Sequence, residues 1–258
     1  VRILHIGDII GRTGRKAVKT FLPLVRQEYK PDIIIANAEN ASGGFGITYA
    51  VYEELRRLDI DIMTTGNHIW DNRETETSIH KMDCLIRPAN LPEGVPGNGY
   101  ITIERNGKKF TVINLIGRIY MGLSDCPFKK FDAIRSYIDE GFVMVDFHAE
   151  ATSEKAAFGF YADGRAGTVV GTHTHVQTSD ERVLPKGTLF QTDVGMCGAL
   201  NSVIGMEKEA PIERFVKGLP RKFEVEKRGK MLFNALFFEY GDNREITDFK
   251  RLSITSGD

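Results

Sequence analysis

At 258 residues, 41% hydrophobic and 27% charged, the chain has the make-up of a globular protein. At that length about 70–75% of the unfolded surface can be buried without help from a disulfide or a structural metal. The 34 basic and 35 acidic side chains leave a formal net charge of -1, which argues against a general nucleic-acid binder, and no apolar run approaches the length of a membrane span.

In chain order, residues 2–6 (RILHI) read as a buried strand and 7–14 as a glycine-rich loop. Residues 16–29 predict a helix with Val18, Phe21, Leu22 and Val25 on one face. Residues 32–36 (DIIIA) predict a second strand, followed by a polar loop over 37–46. Thr48 is placed to cap a helix carrying Val51, Leu55 and Leu58. Residues 60–64 (IDIMT) predict a third strand that ends in Thr65-Gly66-Asn67-His68. Strand, loop and helix repeated three times imply βαβ units and a largely parallel sheet.

Beyond Asn98 the rhythm changes. Residues 100–104 and 110–115 flank Asn106-Gly107, a strong hairpin signal. Residues 142–147 (FVMVDF) and 168–171 (TVVG) read as buried strands separated by a helix over about 153–161. A second hairpin is expected over 181–192, turning at Pro185-Lys186-Gly187. Residues 213–230 hold seven basic and three acidic side chains, and two alternating runs, 231–240 and 246–252, follow. The expectation is a single α/β domain over 1–258, a β-sandwich flanked by helices. The three cysteines, Cys84, Cys126 and Cys197, form no C-x-x-C pair and read as reduced thiols of a cytoplasmic protein; Cys197 reads as a small buried residue.

The polar residues are unevenly placed. Asp8, Glu39, Asn40, Asn67, His68, His148, His173 and His175 all fall at or just beyond the carboxyl end of a predicted strand. In open α/β sheets that edge is the usual ligand crevice. Taken singly, Asp8 can cap backbone amides, Glu39-Asn40 can be a solvated loop, and His148 can be a core histidine. His173-Thr174-His175 is the sharpest signal: on an extended segment, residues i and i+2 project to one side and can converge on a metal. His5 and His80 read as structural, and Trp70 as a packing residue.

The ordered set Gly7-Asp8, Glu39-Asn40, Gly66-Asn67-His68, His148 and Gly171-Thr172-His173-Thr174-His175 resembles the calcineurin-like metallophosphoesterases. Ile10 stands where that family's first motif has histidine, and Ala38-Glu39-Asn40 where the second has Gly-Asp. Both departures resemble the YmdB-like subfamily of 2′,3′-cyclic-nucleotide 2′-phosphodiesterases. The resemblance implies a sandwich of mixed sheets and two metal ions, iron or manganese by family habit, with zinc or cobalt also suited to these donors. It implies Asp8, Glu39, Asn40 and His175 on the first ion, and Glu39, Asn67, His148 and His173 on the second, with Glu39 as the bridge. His68 matches the proton donor.

Two carboxylates against two divalent ions leave a positive cluster, suited to a singly charged phosphodiester attacked by a bridging hydroxide while His68 protonates the leaving oxygen. The expected partner is therefore a small phosphodiester or nucleotide, with no membrane contact. Two other readings stay open: a phosphomonoesterase on the same centre, and a regulatory or RNA-associated scaffold with little turnover. The second is motivated by the basic stretch 213–230 and by Arg12, Arg15 and Lys16. A homo-oligomer and the substrate-binding residues are left open as well.

Overall fold

A computed structural model describes residues 1–138, 141–241 and 245–257. The first half alternates strands and helices: β1 (Arg2–Ile6), β2 (Asp8–Ile9), α1 (Gly11–Tyr29), β3 (Ile33–Asn37), α2 (Tyr49–Arg56), β4 (Ile62–Thr64) and α3 (Arg73–Ser78). A hairpin, β5 (Tyr100–Arg105) and β6 (Lys108–Ile116), is followed by α4 (Pro127–Arg135), β7 (Phe142–His148), α5 (Thr152–Ala162) and β8 (Thr168–Thr172). The remainder holds β9 (Arg182–Val183), β10 (Leu189–Gln191), β11 (Met196–Ala199), α6 (Glu209–Lys217), β12 (Met231–Tyr240) and β13 (Ile246–Thr255). No helix among the described residues is long and apolar enough to cross a membrane.

The strands form two mixed sheets. One runs β2-β11-β12-β1-β3-β4 with β13 also on β12, and the other β5-β6-β7-β8-β10-β9. β1, β3 and β4 run parallel, as do β6, β7, β8 and β10, while β12 joins β1 antiparallel. Several sequence expectations are met in detail. Asn106 and Gly107 both take positive φ in a two-residue turn, with Arg105 paired to Lys108. The Thr48 hydroxyl accepts from the Val51 amide at 3.3 Å. One expectation fails: residues 7–14 are not a loop. Gly11, at φ +52°, turns the chain directly out of β2 into α1, so the helix starts five residues early.

Strand alternation builds the layers. In β1 and β3, Leu4, Ile6, Ile34 and Ala36 face α1 and α2, where they meet Val18, Phe21, Leu22 and Leu55. The intervening Ile3, Ile33 and Ile35 face the other sheet and pack with Phe110, Val112, Phe142, Met144 and Val170. On the far side, Val143, Val145 and Phe147 of β7 meet Phe131 of α4 and Phe158 of α5. The result is helix, sheet, sheet, helix, with one apolar layer between the sheets.

That inter-sheet layer turns polar at the carboxyl ends of its strands. Continuing the same alternation, β1 presents His5, β3 Asn37, β4 Thr64, β6 Asn114, β7 Asp146 and His148, and β8 Thr172. All seven are buried. Buried polar atoms need partners, and here most are found within the layer, the His5 ring nitrogens being without a hydrogen bond among the described residues. Thr64 and Thr172 hydroxyls donate to Asp146, the latter at 2.7 Å, and His5 Nε2 lies 3.4 Å from the same carboxylate. Asn114 Oδ1 accepts from the Thr65 amide at 3.1 Å, fixing the loop after β4. This network is the floor on which the polar loops stand.

Candidate metal centre

Each loop at this edge delivers one or two side chains from a strand end. Asp8 opens β2; Glu39 and Asn40 follow β3; Asn67 and His68 follow β4; His148 ends β7; His173 and His175 follow β8. Gly66 permits the convergence: a Cβ there would sit inside the His148 imidazole and 2.5 Å from Glu39 Oε2.

The structure brings Glu39, His148 and His173 together, with one ligand atom of each within 4.8 Å of the others. Around His148 Nε2 lie Glu39 Oε1 at 3.0 Å, Asn67 Oδ1 at 2.9 Å and His173 Nδ1 at 3.1 Å. The neighbours of these rings decide where their protons sit. Thr172 Oγ1 spends its hydrogen on Asp146, so at 2.9 Å it accepts from His148 Nδ1, which leaves a lone pair on His148 Nε2. His173 Nε2 donates to Glu150 Oε2 at 3.0 Å, which leaves a lone pair on its Nδ1. A carboxylate oxygen, an amide oxygen and two imidazole nitrogens thus aim electron pairs at one small volume. One proton satisfies at most two of them; a cation satisfies all four. The donors fit a metal ion of borderline character.

A second group lies beside the first. The buried Oδ1 atoms of Asp8 and Asn40 have no hydrogen-bond partner among the described residues. His175 Nδ1 donates to the Ile204 carbonyl at 2.8 Å, which leaves the Nε2 lone pair 3.8 Å from Asp8 Oδ1. The Asn40 amide is oriented by its donation to Gly44 O at 2.9 Å. Asp8 also touches the first group, its Oδ2 accepting from the His173 amide at 3.3 Å.

His173 and His175 do not lie on an extended segment. β8 ends at Thr172, and the two histidines take φ of 101° and 64°. A turn therefore sends their rings apart, one to each group. Such backbone is sparsely populated for residues with a Cβ and persists only when the surroundings fix it. Here Asp193 accepts from the Thr174 amide at 3.0 Å and from Gly195 N at 2.8 Å. Buried Lys155 pairs with Asp193 at 2.7 Å and donates to the Thr172 carbonyl at 2.8 Å, tying the turn to the strand end.

The electrostatics follow from burying carboxylates and imidazoles side by side. Burial pushes the Asp8 carboxyl well up from its ordinary value. Burial also opposes ionisation of Glu39, but His148 and the His68 amide outweigh it and hold the carboxyl at about 2. Burial would lower His148, and the Glu39 charge beside it wins and raises it. Burial, then the charge on His148, press His173 down to about 3. A metal ion held by these residues would take over the role of the His148 proton and would bind better as that proton leaves.

His68 stands outside both groups of donors. Its backbone amide donates to Glu39 Oε2 at 3.1 Å, and its Nδ1 faces Asp71 Oδ2 at 2.7 Å. The ring lies edge-on to Phe45, 5.1 Å between centroids, and lines a cleft of about 670 Å³ together with Asn40, His173 and His175. Asp71 holds the proton on Nδ1, so Nε2 is the nitrogen free to exchange a proton in the cleft. Cys197 is buried with its thiol pushed up to about 12 by desolvation, which makes it inert.

The YmdB-like protein family model matches residues 4–252 of this chain. The chain belongs to the YmdB-like family. Across 257 residues this YmdB-like chain is 46% identical to the 2′,3′-cyclic-nucleotide 2′-phosphodiesterase of Bacillus subtilis, covering 98% of this chain and 97% of that one. A Mycoplasma pneumoniae crystal structure described as a novel phosphatase superposes with TM-score 0.94 at 34% identity, over 99% of this chain and 93% of that one. The NAD nucleotidase of Haemophilus influenzae shares the fold alone, with TM-score 0.62 at 13% identity over 98% of this chain and 55% of that one. The two-sheet sandwich of this YmdB-like chain is thus a fold shared with that nucleotidase.

Sequence reasoning missed the layer beneath the ligands of this YmdB-like protein. Asn37, Thr64, Asn114, Asp146 and Thr172, at or within two residues of a strand end, each put a polar residue on the face that was apolar two positions earlier. That break in alternation is visible in IIIAN and FVMVDFH and was the available signal. Asp71 and Glu150 carried no signal, because loop carboxylates are common without a role.

Proposed function

We propose that this protein is a dinuclear-metal phosphodiesterase acting on 2′,3′-cyclic nucleotides. The observation that carries the reading is the set of four electron-pair donors aimed into one volume around His148 Nε2. The two groups of donors, linked by Asp8, support two ions. Bound at such a centre, divalent ions supply Lewis-acid stabilisation of phosphoryl charge and a water acidified enough to attack at neutral pH.

The chain's own groups supply the rest. Glu39 and Asp8 bring two negative charges, fewer than the four of a divalent pair, so the loaded cleft is positive and draws an anion. Protonated at Nε2 and braced by Asp71, His68 delivers a proton to the departing 2′ oxygen, which leaves the phosphate on the 3′ oxygen. Phe45, packed against His68, fixes the ring plane and shields that proton from bulk water.

The test is elemental analysis of purified protein beside hydrolysis of 2′,3′-cyclic AMP, bis-p-nitrophenyl phosphate and p-nitrophenyl phosphate. Two iron or manganese ions per chain with preference for the diesters is the expected result. Glu39→Ala is expected to empty or cripple both positions. Full metal content in that variant, or preference for the monoester, overturns the reading.

A further inference from the structure

The cleft at the metal centre does not close behind Phe45. A second chamber of about 410 Å³ adjoins it, and the two share Phe45, Lys222 and Phe223 as walls. Both phenylalanines are half-buried and pack against the same apolar cluster, which holds Ile10, Met206 and Val225. The shared wall is therefore anchored, and Arg214 lies over the Phe223 ring, 5.4 Å from its centroid.

The far chamber is strongly cationic. Arg12 and Arg15 line it from the first turns of α1, and Lys222 and Lys227 from the segment after α6. Arg15 is committed to Glu54 at 2.9 Å and to the Ala41 carbonyl. Glu224 lines the same chamber and stands 3.9 Å from Lys227. Arg12 and Lys222 have neither an ion pair nor a hydrogen bond among the described residues. In a chain of net charge -1, two free cations around one chamber, joined by an aromatic wall to the cleft at the metal centre, suit an anion.

Resting on the reading above, we infer that the far chamber is a phosphate subsite and that the preferred substrate is the end of a single-stranded RNA closed by a 2′,3′-cyclic phosphate. The terminal cyclic phosphate enters at the metal centre. Phe45 and Phe223 offer a stacking surface that accepts any base. The next phosphate along the strand lies between Arg12 and Lys222. A cyclic mononucleotide has no such phosphate and leaves the chamber unused.

The experiment compares kcat/KM for 2′,3′-cyclic AMP and for adenosine trinucleotide ending in a 2′,3′-cyclic phosphate, in the metal-loaded wild type and in the Arg12→Gln, Lys222→Gln double variant. The wild type is expected to favour the trinucleotide by about tenfold or more, as suits charge-assisted contacts to one phosphate. The double variant is expected to lose that preference, falling several-fold further on the trinucleotide than on the mononucleotide, and to show a weaker salt dependence on the trinucleotide. Equal kcat/KM for the two substrates in the wild type, or equal loss on both in the variant, overturns the subsite. If the wild type hydrolyses neither, the phosphodiesterase reading fails instead. The subsite is then judged by anisotropy of a labelled 3′-phosphorylated trinucleotide, where equal binding by both proteins overturns it.

Discussion

Thr172→Val tests the layer under the ligands, because it removes one hydroxyl and keeps the side chain's shape. In the wild type that hydroxyl donates to Asp146 Oδ1 at 2.7 Å and accepts from His148 Nδ1 at 2.9 Å. Its loss leaves two buried polar atoms short of a partner, at about 1–3 kcal/mol each. Asp146 retains Thr64 and His5, so a total destabilisation of about 2–4 kcal/mol is expected for the metal-free protein. The second effect is specific. The remaining neighbour of His148 Nδ1 is the Asn37 amide nitrogen at 3.4 Å, a donor. It favours the tautomer protonated on Nε2, which aims a hydrogen where a lone pair was. Loss of such a supporting partner lowers metal affinity about 10–100-fold. By linkage, saturating manganese should then stabilise the variant by about 1.4–2.7 kcal/mol less than it stabilises the wild type. Urea denaturation of both proteins with and without manganese gives the difference directly, and Thr172→Ser should restore it. A variant that is weakened but gains as much from manganese as the wild type refutes the tautomer argument.

His68→Ala should keep its metal and lose about 10²–10⁴-fold in turnover on a 2′,3′-cyclic nucleotide, with a smaller loss on activated aryl diesters; equal losses on both would remove His68 from the acid role. Gly66→Ala places a methyl group against His148 and Glu39. It should lower stability by about 1–3 kcal/mol through overpacking and metal content with it, and a variant with normal metal content contradicts the described convergence. Asp83 is held below the usual carboxylate range chiefly by the Tyr52 hydroxyl, which donates to it. A depressed carboxyl contributes stability above its unfolded pKa of about 3.9 that is lost as pH falls through the native value. Tyr52→Phe should therefore be less stable than wild type at neutral pH, with the gap closing on acidification; a gap that widens in acid reverses the sign and the argument. The inter-sheet layer ties residues from Ile3 to Phe238 into one core, so calorimetry should show a single unfolding transition, and two separable transitions would divide the chain into two domains.

The fold was legible where local chemistry is strong. Apolar runs such as IIIA, the Asn106-Gly107 turn and the Thr48 cap each state their own conformation. The short strands β2 and β11 were not legible, because DI and MCGA have no periodicity and exist through pairing with each other. α6 was hidden for the opposite reason: its charged face reads as any solvated surface. The loops that carry the candidate ligands stand out through residue type alone. Their geometry does not, since the opposed directions of His173 and His175 depend on Lys155 and Asp193, which lie 18 residues apart from the turn on either side.

Asp8 occupies an unusual place in the order of assembly. Its strand, β2, pairs with β11, and β11 with β12, whose residues Met231–Tyr240 also flank β1 and β13. Glu39 and His148, by contrast, sit on parallel units complete by Thr172. The register of Asp8 thus rests, through β11, on a strand more than 220 positions downstream, so the two ends of the chain meet in the sheet beneath the centre.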